Sequence, residues 1–353
     1  MPVITVQGRK DSGELGVVTP HEHILIDLRN QFTYHPEATR TAYAEQKVSI
    51  RNLDVLSRDP YAVRDNLLMN DVRLAERELL EFRKAGGDTV VDATSIGLGR
   101  DPEALMRISR ATGLNVIAGC GYYTGDTHPP DMDAKTVEEI AGEMVRDITV
   151  GMQGTGIRAG VIGEIGTSVE IYPNERKVLQ AAAAAQKQTG AGIIVHTYPW
   201  GKRGLEALAI LADGGAEARK VSVNHVDVEL DLDYCAQLAR AGAFFEFDNF
   251  GKEFFIDRRY RGFAGGVFAR DIERVKALKK LIDGGFLPNI LMSCDVCLKT
   301  LLHRYGGWGY DHILTHVVPM MLDEGIGRQQ IDVILRENPR KFLDMKSEVV
   351  DGR

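Results

Sequence analysis

From residue 17 to residue 295 the chain alternates eight times between a short apolar, β-prone run and a helix-like stretch. Few folds accept that rhythm. The strand candidates cover residues 17–27, 88–95, 115–123, 159–166, 192–197, 221–227, 243–248 and 289–295. Helical patterns fill the intervals at 71–85, 102–112, 136–151, 174–189, 204–212, 231–241 and 271–284, and two more follow at 310–324 and 328–343. The apolar runs are mostly continuous, as in strands buried on both faces. Several helices pass to the next strand through glycine, as at Gly86, Gly113, Gly190 and Gly242, a residue that accepts the left-handed turn a helix end needs. Repeated strand–helix units imply right-handed crossovers and a parallel sheet, and eight of them close a (β/α)8 TIM barrel.

The rival, an open doubly wound sheet, would carry a phosphate loop after its first strand, and neither G-x-G-x-x-G nor G-x-x-x-x-G-K-[ST] stands there. No linker or change in composition divides residues 1–353, which predicts a single domain. Residues 29–70 read as a long first βα loop on the face where barrels build active sites. The last two helical patterns form a C-terminal helical extension. Composition narrows the partners. Fifty carboxylates against 43 Lys and Arg leave a formal charge of −7, which argues against a nucleic-acid partner. No apolar run approaches the ~20 residues that span a bilayer, and the N-terminus lacks a signal-peptide pattern. Four cysteines do not make a disulfide framework in a chain this long. The expectation is a cytoplasmic protein whose partners are a small molecule, with room for an anionic one, and at most a second copy in a homodimer.

The sharpest local feature is His21-Glu22-His23. Residues two apart in a strand share a side, so both imidazoles project together. Later strand candidates offer Glu164 at the end of the fourth, His196 at the fifth, His225 at the sixth and Asp295 at the eighth. Taken singly, each has a structural explanation, such as a satisfied core histidine or a helix-capping aspartate. Together they set four histidines and two carboxylates at one rim of a closed barrel. Burying so many titratable groups without a cation would cost several kcal/mol each. A metal cluster removes that problem.

The pattern H-x-H, then His, His and Asp on later strands resembles the amidohydrolase superfamily. More narrowly, the chain is similar to the phosphotriesterase-related family. The carrying stretches are Gly16-Val17-Val18-Thr19-Pro20-His21-Glu22-His23, Gly86-Gly87-Asp88-Thr89-Val90-Val91-Asp92, Val161-Ile162-Gly163-Glu164-Ile165-Gly166, Ser293-Cys294-Asp295 and Glu337-Asn338-Pro339. They run in order along essentially the whole chain. The resemblance implies that His21, His23 and Asp295 hold a buried metal ion and that His196 and His225 hold a more exposed one. Its bridging ligand on the fourth strand is a carboxylated lysine or a glutamate; here it is Glu164. That places the chain in a glutamate-bridged, lactonase-like branch and argues against strong organophosphate hydrolysis.

Imidazole and carboxylate ligands suit two divalent ions, Zn2+ first, with Mn2+, Co2+ and Fe2+ also compatible. Such a pair can share a hydroxide that attacks a polarised carbonyl or phosphoryl group, and Asp295 is placed to carry the proton to the leaving group. The resemblance also implies a tyrosine beside the metals after the third strand, assigned to Tyr122. In the seventh βα loop Lys252, Arg258 and Arg261 are candidates for binding an anionic substrate through charge-assisted hydrogen bonds. Asp227 is a candidate to orient a ligand or meet the substrate. Cys294 and Cys297 are read as packing residues, and His35, His128, His303, His312 and His316 receive no role. The function expected is metal-dependent hydrolysis of a carboxylic ester, lactones first. The alternatives are an amidase for small N-acyl compounds, a weak phosphotriesterase, and a non-catalytic small-molecule binder with a relic metal site.

Overall fold

In the computed structural model, residues 1–350 are described apart from 33, 35, 36 and 257–264. Eight parallel strands form a sheet in unbroken chain order. They are β1 (Val18–Glu22), β2 (Thr89–Asp92), β3 (Asn115–Cys120), β4 (Val161–Gly166), β5 (Ile193–His196), β6 (Val221–Val223), β7 (Phe244–Phe247) and β8 (Ile290–Met292). The crossovers are α1 (Val72–Lys84), α2 (Pro102–Thr112), α3 (Val137–Thr149), α4 (Pro173–Thr189), α5 (Gly204–Asp213), α6 (Leu232–Arg240) and α7 (Asp271–Asp283). Consecutive parallel neighbours with a helix between each pair are the (β/α)8 barrel that the sequence predicts.

The local chemistry explains the boundaries. Asp71, Asp101 and Asp231 cap α1, α2 and α6 by accepting the backbone N–H of Leu74, Ala104 and Tyr234. Gly113 and Gly190 end α2 and α4 in the left-handed conformation, at φ of 70° and 73°. An apolar cluster takes Val18, Val91, Ile117, Val161, Ile194, Phe244 and Leu291 from the strands and adds Val3 and Leu15 from the N-terminus. Phe342 and Leu343 from the last helices complete it. These side chains pack as one buried cluster against the strands.

β1 and β8 meet through a side chain. The fully buried carboxylate of Glu22 accepts the N–H groups of Cys294 at 2.9 Å and Val296 at 2.7 Å, and the Thr19 hydroxyl at 2.6 Å. Glu22 therefore buckles the first strand to the segment after the last.

Two expectations are refined. The first strand stops at Glu22, and Ile26–Asp27 instead pairs antiparallel with Leu68–Met69, tying the two ends of the long loop together. That loop has a small core of its own in Val48, Leu56 and Val63. The C-terminal helices are interrupted as well: residues Ile313–Val317 and Val333–Glu337 wind as π turns just before helices Val318–Asp323 and Asn338–Leu343. Pro319 and Pro339 cause this, since proline supplies no N–H and its ring crowds the carbonyl four residues earlier.

Candidate metal centre

Six side chains converge at the C-terminal rim of the barrel. His21 lies in β1 and His23 just beyond it, Glu164 in β4, His196 at the end of β5, and His225 and Asp295 in the segments after β6 and β8. All six are buried. Among the described residues, three other than glycine have positive φ, and two of them are His225 (62°) and Asp295 (47°). A left-handed backbone costs an L-residue about 1–2 kcal/mol, so the fold spends stability to aim these two side chains. Gly163, beside Glu164, has φ 133°, and a Cβ there would stand 2.6 Å from the carbonyl oxygen of Ile194. Only glycine lets β4 present Glu164 in this way.

Glu164 is the hub. Its Oε1 is 3.3 Å from His23 Nε2, and its Oε2 is 3.3 Å from His196 Nδ1, 3.5 Å from His21 Nε2 and 3.9 Å from His225 Nε2. Asp295 Oδ1 lies 3.2 Å from His23 Nε2 and 3.8 Å from His21 Nε2. Two ligand atoms each ~2.0–2.1 Å from one ion stand roughly 2.9–3.4 Å apart, and most of these separations are close to that. Two overlapping sets result: His21, His23 and Glu164, and Glu164, His196 and His225. His21 Nε2 and Glu164 Oε2 are buried and have no hydrogen-bond partner, a condition proteins avoid unless something else satisfies such atoms. The donors fit a pair of divalent cations.

The imidazoles are held from behind. Asp248, after β7, has Oδ2 3.2 Å from His21 Nδ1 and Oδ1 3.0 Å from His225 Nδ1. His23 Nδ1 is 2.9 Å from the Thr94 hydroxyl. A partner on the second ring nitrogen fixes the tautomer and the aim of the first.

Charge balance is severe. Burial opposes ionisation of Glu164, but the charge of His21 and the closeness of the His196 and His23 rings outweigh it and hold its carboxyl well below the ordinary range. Asp295 is likewise held low despite burial, chiefly by the Lys252 ammonium. Burial would lower His23, yet Asp295 and Glu164 raise it to about 9. Burial keeps His196 below its usual value. Glu246, inside the barrel and bonded to Ser222, Asn224 and Ser293, is pushed up to about 8 by burial.

A cavity of about 60 Å³ opens onto this cluster, walled by Tyr61, Tyr123, Trp200, Lys252, Phe254 and Phe268 among others. Lys252 lines the cavity, and its ammonium is ion-paired with Asp295 Oδ2. Tyr122 is a correction. Its hydroxyl bonds Glu143 at 2.5 Å and receives Lys135 at 3.2 Å, away from the cluster. Tyr123 takes the place assigned to it, with its hydroxyl 3.2 Å from His196 Nδ1. Strand alternation fails there because β3 ends at Cys120 and Gly121, at φ 112°, turns the chain. Arg258, Arg261 and His35 lie outside the described residues. Asp227 meets neither ligand nor cavity: it is buried against Arg274 Nε at 2.9 Å and the Asn249 amide. Cys294 is packed, whereas Cys297 reaches the cavity wall. Sequence reasoning missed Asp248 and Thr94. The signal for Asp248 was a carboxylate closing an apolar run, the same signal that marked Asp295.

The model of the Phosphotriesterase family matches residues 1–343. The chain belongs to this family. Family members use a divalent metal centre; this chain is a hydrolase, and its His/Glu groups could hold such ions. An N-acetyltaurine hydrolase from Danio rerio is 37% identical over 346 residues, covering 98% of both chains. Among solved structures, a resiniferatoxin-binding protein from Rhodobacter sphaeroides has TM-score 0.94 and 36% identity, covering 97% of this chain and 95% of that one. The lactonase Lmo2620 from Listeria monocytogenes has TM-score 0.79 and 25% identity, covering 98% and 100%.

Proposed function

We propose that this hydrolase cleaves the amide of a small N-acyl amine that carries an acidic group, using the six-residue cluster as a binuclear centre. The observation that carries the catalytic part is Glu164, one carboxylate facing two histidine sets at once. Two divalent ions held there would supply Lewis acidity and a water acidic enough to lose its proton near neutral pH. His21, His23 and Asp295 would hold one ion, His196 and His225 the other, with Glu164 common to both. Asp295 accepts the proton released during attack and delivers it to the departing nitrogen, a step that amides need because an amine leaves poorly without a proton. Lys252 keeps Asp295 ionised beforehand and offers its remaining N–H donors to a substrate oxygen. The phenol of Tyr123 orients His196.

Three features support an acidic N-acyl amine. The cavity is narrow beside the ~300–1,000 Å³ of drug-sized sites. Its described wall carries an ammonium, Lys252. Relatives named N-acetyltaurine hydrolase are 34–38% identical over about 98% of the chain. A lactone is the second reading, favoured by the likeness to the Listeria enzyme. The deciding experiment is a panel of N-acetyl amino sulfonates, N-acetyl amino acids, neutral N-acetyl amines and γ- and δ-lactones, each with and without chelator. Chelator-sensitive cleavage is expected, with kcat/KM about tenfold or more higher for acidic than for neutral amides, the worth of one charge-assisted hydrogen bond. Turnover of lactones without turnover of any N-acyl amine overturns the amide reading.

A further inference from the structure

We infer that Asp248 is a positioning residue shared by the two halves of the metal centre, one carboxylate setting the aim of two histidines that serve different ions. This rests on the binuclear reading above. The two oxygens divide the work: Oδ2 faces His21 Nδ1 at 3.2 Å, alongside the Asn224 amide, and Oδ1 faces His225 Nδ1 at 3.0 Å. Both also accept the backbone N–H of His225 at 3.1 Å, and the Asn249 amide donates to Oδ1 at 2.7 Å. The group is fully buried, so it cannot turn toward one histidine without losing bonds to the other.

The consequence is a pair of inward-facing Nε2 atoms, 3.5 and 3.9 Å from the same Glu164 oxygen. The backbone bond matters too, because His225 is held at φ 62° and Asp248 is the group that receives its N–H. The contrast is Thr94, which bonds His23 and therefore acts on a single half of the centre. A partner behind a ligating imidazole is worth roughly 10–100-fold in metal affinity. For Asp248 that loss should fall on both ions; for Thr94 it should fall on one.

The test is stepwise Zn2+ binding to the metal-stripped full-length chain, measured against a competing chromophoric chelator so that two constants are resolved. Asp248→Asn is expected to weaken both constants by about tenfold or more, Thr94→Val only one, and Asp248→Glu is expected to recover part of the loss. A folded Asp248→Asn that loses affinity at one position only, or at neither, overturns the proposal. Should that variant not fold, Asn249→Ala, which removes the bond holding Oδ1, is judged by the same two-position criterion. A wild-type chain that binds fewer than two Zn2+ ions overturns the binuclear reading itself, an outcome distinct from a normal wild type with an unaffected variant.

Discussion

Asp295 answers to two groups at once. One oxygen faces His23, the other is paired with Lys252, so the residue both completes the cluster and stands next to a proton donor. Asp295→Asn should lower kcat by about 10²–10⁴-fold, the range for a lost acid–base group, while bound metal falls by less; unchanged turnover removes its proton-carrying role. His23 gives a pH prediction. Its pKa in the metal-free chain is raised from 6.5 to about 9, so the imidazolium stabilises that form fully below about pH 6.5 and ceases to as pH rises through about 9. Metal capture requires the neutral ring. At pH 7, Zn2+ uptake should therefore expel a proton, and its calorimetric heat should change with the ionisation enthalpy of the buffer; identical heats in all buffers contradict this. The six clustered side chains were legible because each follows or ends an apolar run. Tyr123 was not legible, because the choice between it and Tyr122 depends on a turn at Gly121 that has no periodicity to read.

At the scale of elements, the strands and crossover helices could be read because a two-sided burial pattern and helix capping are local chemistry. What escaped is long-range: the π turns need knowledge of where proline falls within a continued helix, and the buckle at Glu22 joins residues more than 270 positions apart. Alternation sets Glu22 on the side of β1 opposite the two histidines, and nothing local names the partner it meets there. Removing this acceptor leaves two buried N–H groups and a hydroxyl unsatisfied, at about 1–3 kcal/mol each. Glu22→Ala should therefore lose about 3 kcal/mol or more of stability in urea unfolding, and a change below about 1 kcal/mol would falsify the buckle as a stabilising contact. The effect should appear as a lower midpoint with little change in slope.

For the whole molecule, metal and fold are linked. An ion bound to the native state alone stabilises it by about 4 kcal/mol at a thousandfold excess over Kd. Stripping the protein with chelator should lower its Tm by several degrees, and Zn2+ should restore it; equal Tm values with and without metal mean the cluster holds no ion under those conditions. The formal charge of −7 gave no hint of the cationic group in the cavity wall, since composition averages over a surface and says nothing about one loop.

The buckle between the first strand and the segment after the last also orders events in time. On the ribosome, the two histidines of β1 emerge early, but Asp295 and the N–H groups of residues 294 and 296 that grip Glu22 arrive after five-sixths of the chain has been made. Until then the half-built sheet has two open edges and an incomplete ligand set. The set of His21, His23 and Asp295 is therefore complete only after synthesis of nearly the whole chain, and a truncated product ending before Cys294 should be a substrate for proteolysis that lacks this set.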